Sequence, residues 1–482
     1  MRIDIIFIGA RHMKHTHSKS SILLTFFILC ILLSVDLYGA TSSRSLEPTT
    51  HEISIPDTYR LLIIAPDAFI SDLEPLVTHK EKYGMSTKLI SLSQVYDEMF
   101  WSGRDDQEKI KYFIKQAYEI WEIEFVLLIG DFRHMPIRYI YNQDIRQGFN
   151  EPRIISDLYY ADIYNADGSF SSWDTDHDLI FGEWIDDGIA TSAEDQPIDL
   201  YPDVAIGRLA CRTHVEVNTM VKKIITYETE TFGSEWFNNL LVCAGDTYPD
   251  YPGNEGEENT VHVLENMSDF QHIKLWTSDG SFTGVKDLLR VFRDGCGFAY
   301  FDGHANPYRW LTHPPGDHDT WVKGFSLMSM SLLRNKEKMP IVVVGGCHNN
   351  QIDVHLGKLL EDNFWYFTWV PECWGWKLTR KIGGGSIATI GCTGLGMTKE
   401  DKDSFSGAGD YLEPTFFYEY GVNGTEYLGE TWANTITDYL KKYPIDWNTK
   451  AAWDFAIDAK TVQQWILLGD PSLKIGGYPP DL

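Results

Sequence analysis

Seven short apolar runs constrain this chain more than any other feature. They are YRLLIIA (59–65), FVLLIGD (125–131), DVAIG (203–207), LLVCAG (240–245), GFAYFDG (297–303), IVVVGG (341–346) and SIATIG (386–391). Each is too short for a typical helix and shows no polar alternation. Runs of this kind are strands buried on both faces, as in a parallel sheet covered by helices. The segments between them fit that reading. Residues 72–84 carry a helical pattern that Gly84 would end. DDQEKIKYFIKQAYEIW (105–121) opens with acids, as a helix N-terminus prefers. It sets Ile110, Phe113, Ile114, Ala117, Ile120 and Trp121 on one face.

Further helices are expected at 213–232, about 257–268, 285–295, 353–364 and 428–442. The ending QQWILLGDPSLKIGG (463–477) reads as strand, turn, strand. The strands suffice for two sheets, with a boundary near 235–240. The expected division is a leader over 1–40, an N-terminal α/β unit over 41–238 with an acidic, loop-rich insertion, and a second α/β unit over 239–482. The leader has Arg11, Lys14 and Lys19 ahead of ILLTFFILCILLSV (22–35). That run is short for a membrane span and suits a secretory signal, with an uncleaved anchor as the alternative. Met13 is a second candidate start. A secreted protein is expected, touching a membrane only through an uncleaved leader.

The formal charge of −28 argues against nucleic-acid binding, which depends on Lys and Arg neutralising phosphates. Of seven cysteines, Cys30 lies in the leader, and the other six are widely spaced without CxxC pairs. A zinc ribbon or a dense disulfide scaffold is therefore not indicated, though one or two disulfides fit an extracellular protein.

Functional groups in open α/β sheets sit just beyond the carboxyl ends of strands. Two runs end in reactive side chains: FAYFDGH delivers His304, and IVVVGGC delivers Cys347. A thiolate is a nucleophile for acyl transfer, and a nearby imidazole can protonate the leaving amine. Singly, each residue suits ordinary packing; together, at the ends of successive strands, they suggest a dyad. Gly303 and Gly346 leave room for substrate and for N–H groups facing an oxyanion.

The ordered set YFDGHANPYRW (300–310) and VVVGGCHNNQID (342–353) resembles the gingipain-type cysteine peptidases of the caspase-like clan. The resemblance extends to PDVAIGRLACRTHVEVNTMVKKIITYE (202–228), GGGSIATIGCTG (383–394) and LLGDPSLKI (467–475). It implies two side-by-side α/β subdomains and an endopeptidase acting on proteins or peptides, with no catalytic cofactor. His304 and Cys347 fall on the family's catalytic positions, and Asp246 near an acid that orients the histidine in some members. The oxyanion donors would be the N–H groups of Cys347 and Ala305. Ala305 departs from the usual glycine, and alanine tolerates positive φ poorly, so a degraded site in a binding protein is the rival reading. Basic P1 specificity would need an acidic pocket, for which Glu257 and Glu258 in GNEGEEN (253–259) are candidates, although acids also start a helix well. Trp310, Thr393 and Met397 are candidate pocket walls. The pro-segment and immunoglobulin-like domain of well-known members are expected to be absent.

WDTDHDLIFGEW (173–184) alternates Asp174, Asp176 and Asp178, with Glu183 beyond. Oxygens at i, i+2 and i+4 suit a structural Ca²⁺, and calcium binding is known in the family. The EF-hand pattern is only partly met. A last alternative is a metal-dependent hydrolase built from His304, His313, Asp317, His318 and Asp319.

Overall fold

The computed structural model describes residues 58–480, apart from 143, 147–148, 152, 185–191, 197, 361–366, 399–406 and 450–452. The leader and its start lie outside the described residues. No helix among those described is long and apolar enough to cross a membrane.

Ten strands form the central sheet: β1 (Leu61–Ala65), β2 (Thr87–Ser91), β3 (Phe125–Ile129), β4 (Ala205–Leu209), β5 (Asn239–Ala244), β6 (Gln271–Trp276), β7 (Phe298–Phe301), β11 (Ile341–Val344), β12 (Ala388–Cys392) and β13 (Trp465–Leu468). Between β7 and β11 the chain makes a small antiparallel sheet of β8 (His304–Asn306), β9 (Arg309–Thr312) and β10 (Val322–Ser326). The spatial order of the large sheet is β6-β5-β7-β11-β12-β13-β4-β3-β1-β2. Every neighbouring pair is parallel except β12 with β13. The strands before and after residue 239 thus lie side by side. They share one sheet rather than forming two, because β13 returns from the chain's end to fill the gap.

Helices α1 (Ile70–Lys82), α2 (Asp106–Trp121), α3 (His214–Glu230), α4 (Glu255–Asn266), α5 (Val285–Asp294), α6 (Gly409–Gly421), α7 (Leu428–Lys442) and α8 (Trp453–Gln464) connect the strands. The side chain of Asp105 caps α2 by accepting from Glu108 N–H, and Ile110, Phe113, Ile114 and Ala117 are buried. Ile120 is exposed, contrary to expectation. The segment 353–364 forms only a short 3₁₀ turn at Leu356–Leu360 within its described part. The closing motif holds one strand. After the turn, Lys474 makes a single bridge to Tyr427.

The recurring motif residues outside the cleft have structural partners. Lys80 Nζ lies 2.7 Å from Glu228 and 2.8 Å from Asp470 of the GDPS turn, all fully buried. This cluster locks α1, α3 and the chain's end together, and losing one partner would strand a buried charge. Arg208 is buried against Asp157, at 2.8 and 2.7 Å.

Candidate active site

β7 and β11 are adjacent and parallel, with Phe301 opposite Val344. His304 and Cys347 each follow three residues later, so they leave the sheet at the same level. Both line one cleft of about 660 Å³. The turn that carries Cys347 is tightly held. Gly346 has φ +114° and His348 φ +56°. Asn349 Nδ2 donates to the carbonyls of Val344 and Gly346 at 3.1 and 3.0 Å. Asn350 Nδ2 donates to Thr389 and Ile466 carbonyls at 3.1 and 3.2 Å. The polar CHNN stretch therefore anchors the loop while leaving the thiol at its tip.

None of the six described cysteines forms a disulfide, and only Cys347 escapes full burial. Burial pushes the other thiols up, Cys296 and Cys373 to about 12. Buried thiols of this kind are unreactive.

His304 Nε2 donates to the Thr247 carbonyl oxygen at 2.8 Å. That bond fixes the tautomer and leaves Nδ1 for the other side of the ring. Burial lowers the His304 pKa; the Thr247 bond opposes this and His313 adds to it. Trp321 packs edge-on against the ring, at 5.4 Å between centroids.

Asp246 is not the orienting group. Its Oδ2 accepts from Gly316 N–H at 2.7 Å, and its own N–H bonds the His313 carbonyl. Ala305 is paired with Trp310 in the small sheet and does not adopt positive φ. Glycine is therefore not required there, which removes the sequence argument for a degraded site. Glycine is required at 346, where an added Cβ would lie 2.6 Å from Ala305 N. Gly303 (φ +158°) packs less closely, with an added Cβ 3.0 Å from the Leu311 carbonyl.

Of the expected pocket residues, Met397 lines the cleft. Trp310 is fully buried on the opposite face of its strand, against Phe282 and Phe301. Thr393 is buried, donating to Ile155 O at 2.7 Å. Glu257 is held by Ser278 through its N–H at 2.9 Å and its hydroxyl. Glu258 accepts from Asn254 N–H at 3.4 Å at the start of α4. Neither glutamate lines the cleft.

Sequence reasoning missed another acidic group. Asp302, Asp410 and Glu413 are each less than a tenth exposed. They meet Asn259 and Tyr300 but no Lys or Arg among the described residues. Burial pushes Asp302 up to about 6 and the other two well above the carboxylate range. An added Cβ at Gly345, two residues before Cys347, would lie 2.6 Å from Glu413 Oε2. The DG of YFDGH and the GG of VVVGGC were the available signals.

Oxygens of Asp174, Asp176 and Asp178 lie within 4.8 Å of one another. However, Asp174 Oδ2 is paired with Arg104 at 2.6 Å. Glu183 is pushed up to about 7 by burial and by Asp178, Glu194, Asp195 and Asp176. The alternative metal set does not converge. His313 Nδ1 donates to Thr320 O at 2.8 Å, Asp317 accepts from local N–H groups, and His318 is exposed.

A thiol and an oriented imidazole sharing a cleft beyond adjacent parallel strands define a cysteine-peptidase type of site on an α/β fold. The chain belongs to Peptidase family C25, whose sequence profile matches residues 54–476. Gingipain R2 of Porphyromonas gingivalis (strain ATCC BAA-308 / W83) is 20% identical over 427 residues, covering 87% of this chain and 46% of that protein. The chain thus spans about half the length of this curated relative. An uncharacterised protein of Archaeoglobus fulgidus is 24% identical over 348 residues, covering 69% and 75% of the two chains. Among solved structures, the Arg-specific cysteine proteinase gingipain R (RgpB) matches with a TM-score of 0.60 at 18% identity, covering 87% of this chain and 78% of that one.

Proposed function

We propose that the chain is a cysteine endopeptidase working through a Cys347–His304 dyad. The observation that carries this reading is that Cys347, alone among the described cysteines, opens onto a cleft, and shares it with an imidazole whose Nε2 is already bonded. The Cys347 thiol passes its proton to His304 Nδ1, and the resulting thiolate attacks the scissile carbonyl carbon. N–H groups of Cys347 and Ala305 receive the developing oxyanion. The intermediate collapses to a thioester as His304 Nδ1 protonates the leaving amine. Water then hydrolyses the thioester, giving a carboxylic acid and regenerating the thiol.

Specificity for a basic P1 side chain would fall to Asp302, Asp410 and Glu413, which line the cleft no more than Glu257 and Glu258 do, but of which Glu413 packs against Gly345, two residues before Cys347. Three buried carboxylates without a cation are costly, and a substrate guanidinium or ammonium would relieve them. A structural Ca²⁺ held by Asp176 and Asp178, with Glu183 alongside, is also part of the proposal. Secretion rests on the leader and is tested by N-terminal sequencing of protein recovered from the culture medium.

The deciding experiment uses fluorogenic peptides with Arg, Lys or Gln at P1. Cleavage of the basic peptides that is lost on alkylation and in Cys347→Ala supports the reading. Cleavage that persists in Cys347→Ala overturns it.

A further inference from the structure

The small sheet beside the dyad has two distinct faces. Side chains alternate along a strand, so residues directly opposite one another share a face. His304 pairs with Leu311, which pairs with Lys323, and Asn306 pairs with Arg309. One face therefore carries His304, Asn306, Arg309, Leu311 and Lys323, and all five line the Cys347 cleft. The other face carries buried Trp310.

Two of those five are cations. Neither Arg309 nor Lys323 pairs with a carboxylate among the described residues. Arg309 is also positioned. Its guanidinium carbon lies 5.1 Å from the Tyr308 ring centroid and 5.6 Å from that of Phe367, and the two rings stack at 5.6 Å. Its Nε is buried without a hydrogen-bond partner. Leaving a buried donor unbonded is costly, and a planar carboxylate suits a guanidinium edge.

We propose that Arg309 and Lys323 form a subsite for a carboxylate of the peptide substrate, next to the scissile bond. The inference rests on the endopeptidase reading of the same cleft. The cleft lining carries these two cations and no carboxylate among the described residues. An acidic side chain within the peptide and a free chain terminus offer the same carboxylate chemistry.

The test places Glu or Gln at each position from P4 to P4′ around the cleaved bond. In parallel, short peptides are compared with free or amidated C-termini. Glu is expected to exceed Gln by about tenfold in kcat/KM at one position, since one such contact separates the two substrates. If the terminus is the source, amidation lowers kcat/KM by a similar factor. The preference should approach one in Arg309→Gln/Lys323→Gln. It should turn toward Lys at that position in Lys323→Glu, a change at an exposed residue that spares folding. Equal Glu and Gln rates at every position together with no effect of amidation overturn the proposal, as does a preference that survives the double variant. If no peptide is cleaved, the dyad reading fails separately, and peptides selected for binding to Cys347→Ala decide the subsite. There, equal Kd for Glu and Gln forms, and for free and amidated termini, overturns it.

Discussion

His304 is oriented by a main-chain carbonyl, that of Thr247, rather than by the neighbouring Asp246 carboxylate. The Nε2–O distance is 2.8 Å, whereas Asp246 bonds Gly316. A carbonyl cannot be removed by mutation and cannot change its charge. Asp246→Asn should therefore keep kcat/KM within about threefold, since Asn Oδ1 still accepts from Gly316 N–H. Steady-state kinetics on a cleaved peptide checks this. A hundredfold loss would mean that the carboxylate, not the carbonyl, sets the imidazole.

Thiol labelling should be stoichiometric and single. Among the six described cysteines, iodoacetamide should modify Cys347 alone in the folded protein, because the others are buried with raised pKa values. Peptide mapping by mass spectrometry reads the site. Substantial labelling of Cys392 before unfolding would contradict the burial around Gly346.

The β-run rhythm made the parallel sheet legible, because a strand buried on both faces shows itself as an unbroken apolar run. Cys347 and His304 were legible for the same reason, as the first reactive groups past such runs. What stayed hidden depends on distant contacts. Nothing in QQWILLGDPSLKI says that β13 pairs antiparallel with β12 and joins two half-sheets. Trp310 reads as a pocket wall until the pairing with Ala305 turns it into the core. Glu257 looks available until Ser278, from another loop, holds it. Asp410 and Glu413 reach the site from α6, more than sixty residues after Cys347, which no local motif records.

Gly346 and Ala305 should respond oppositely to exchange. At Gly346 a Cβ would meet Ala305 N at 2.6 Å and Ala305 Cβ at 2.7 Å, with φ at +114°. Gly346→Ala should shift the nucleophile turn and lower kcat by about a hundredfold, the scale of a misplaced reacting group. Ala305→Gly should not raise kcat, since Ala305 has no strained backbone to relieve. It should lower stability by about 0.5–1 kcal/mol, as glycine does within a strand. Kinetics with thermal melts checks both. A large rise in kcat in Ala305→Gly would revive the degraded-site reading.

Calcium should raise the Tm of the wild-type chain, and chelation should reverse the rise, because binding to the folded state alone stabilises it. Asp176→Asn/Asp178→Asn should abolish the calcium-dependent part. Asp174→Asn should lower Tm with or without calcium, since Asp174 pairs with Arg104 and accepts from His177, Asp178 and Leu179 N–H groups. A calcium shift that is unchanged in the double variant would place the ion elsewhere.

The buried acids give a pH signature with a definite sign. Asp302 is pushed up from 3.8 to about 6 by burial. Between these values the folded chain holds a proton that the unfolded chain has lost, so this group's contribution to stability falls as pH rises through that window. A basic P1 side chain needs the ionised form. Binding of an arginine peptide to Cys347→Ala should therefore strengthen as pH rises from 5 to 7 and then level off. The peptide should displace a proton near pH 5.5, visible by calorimetry in two buffers of different ionisation enthalpy. Asp302→Asn should move the pH dependence upward, to the range of Asp410 and Glu413, and weaken arginine-peptide binding by about tenfold, the scale of one charge contact. A matched glutamine peptide controls for titration of His304. If both peptides show the same pH dependence, Asp302, Asp410 and Glu413 do not receive the P1 side chain.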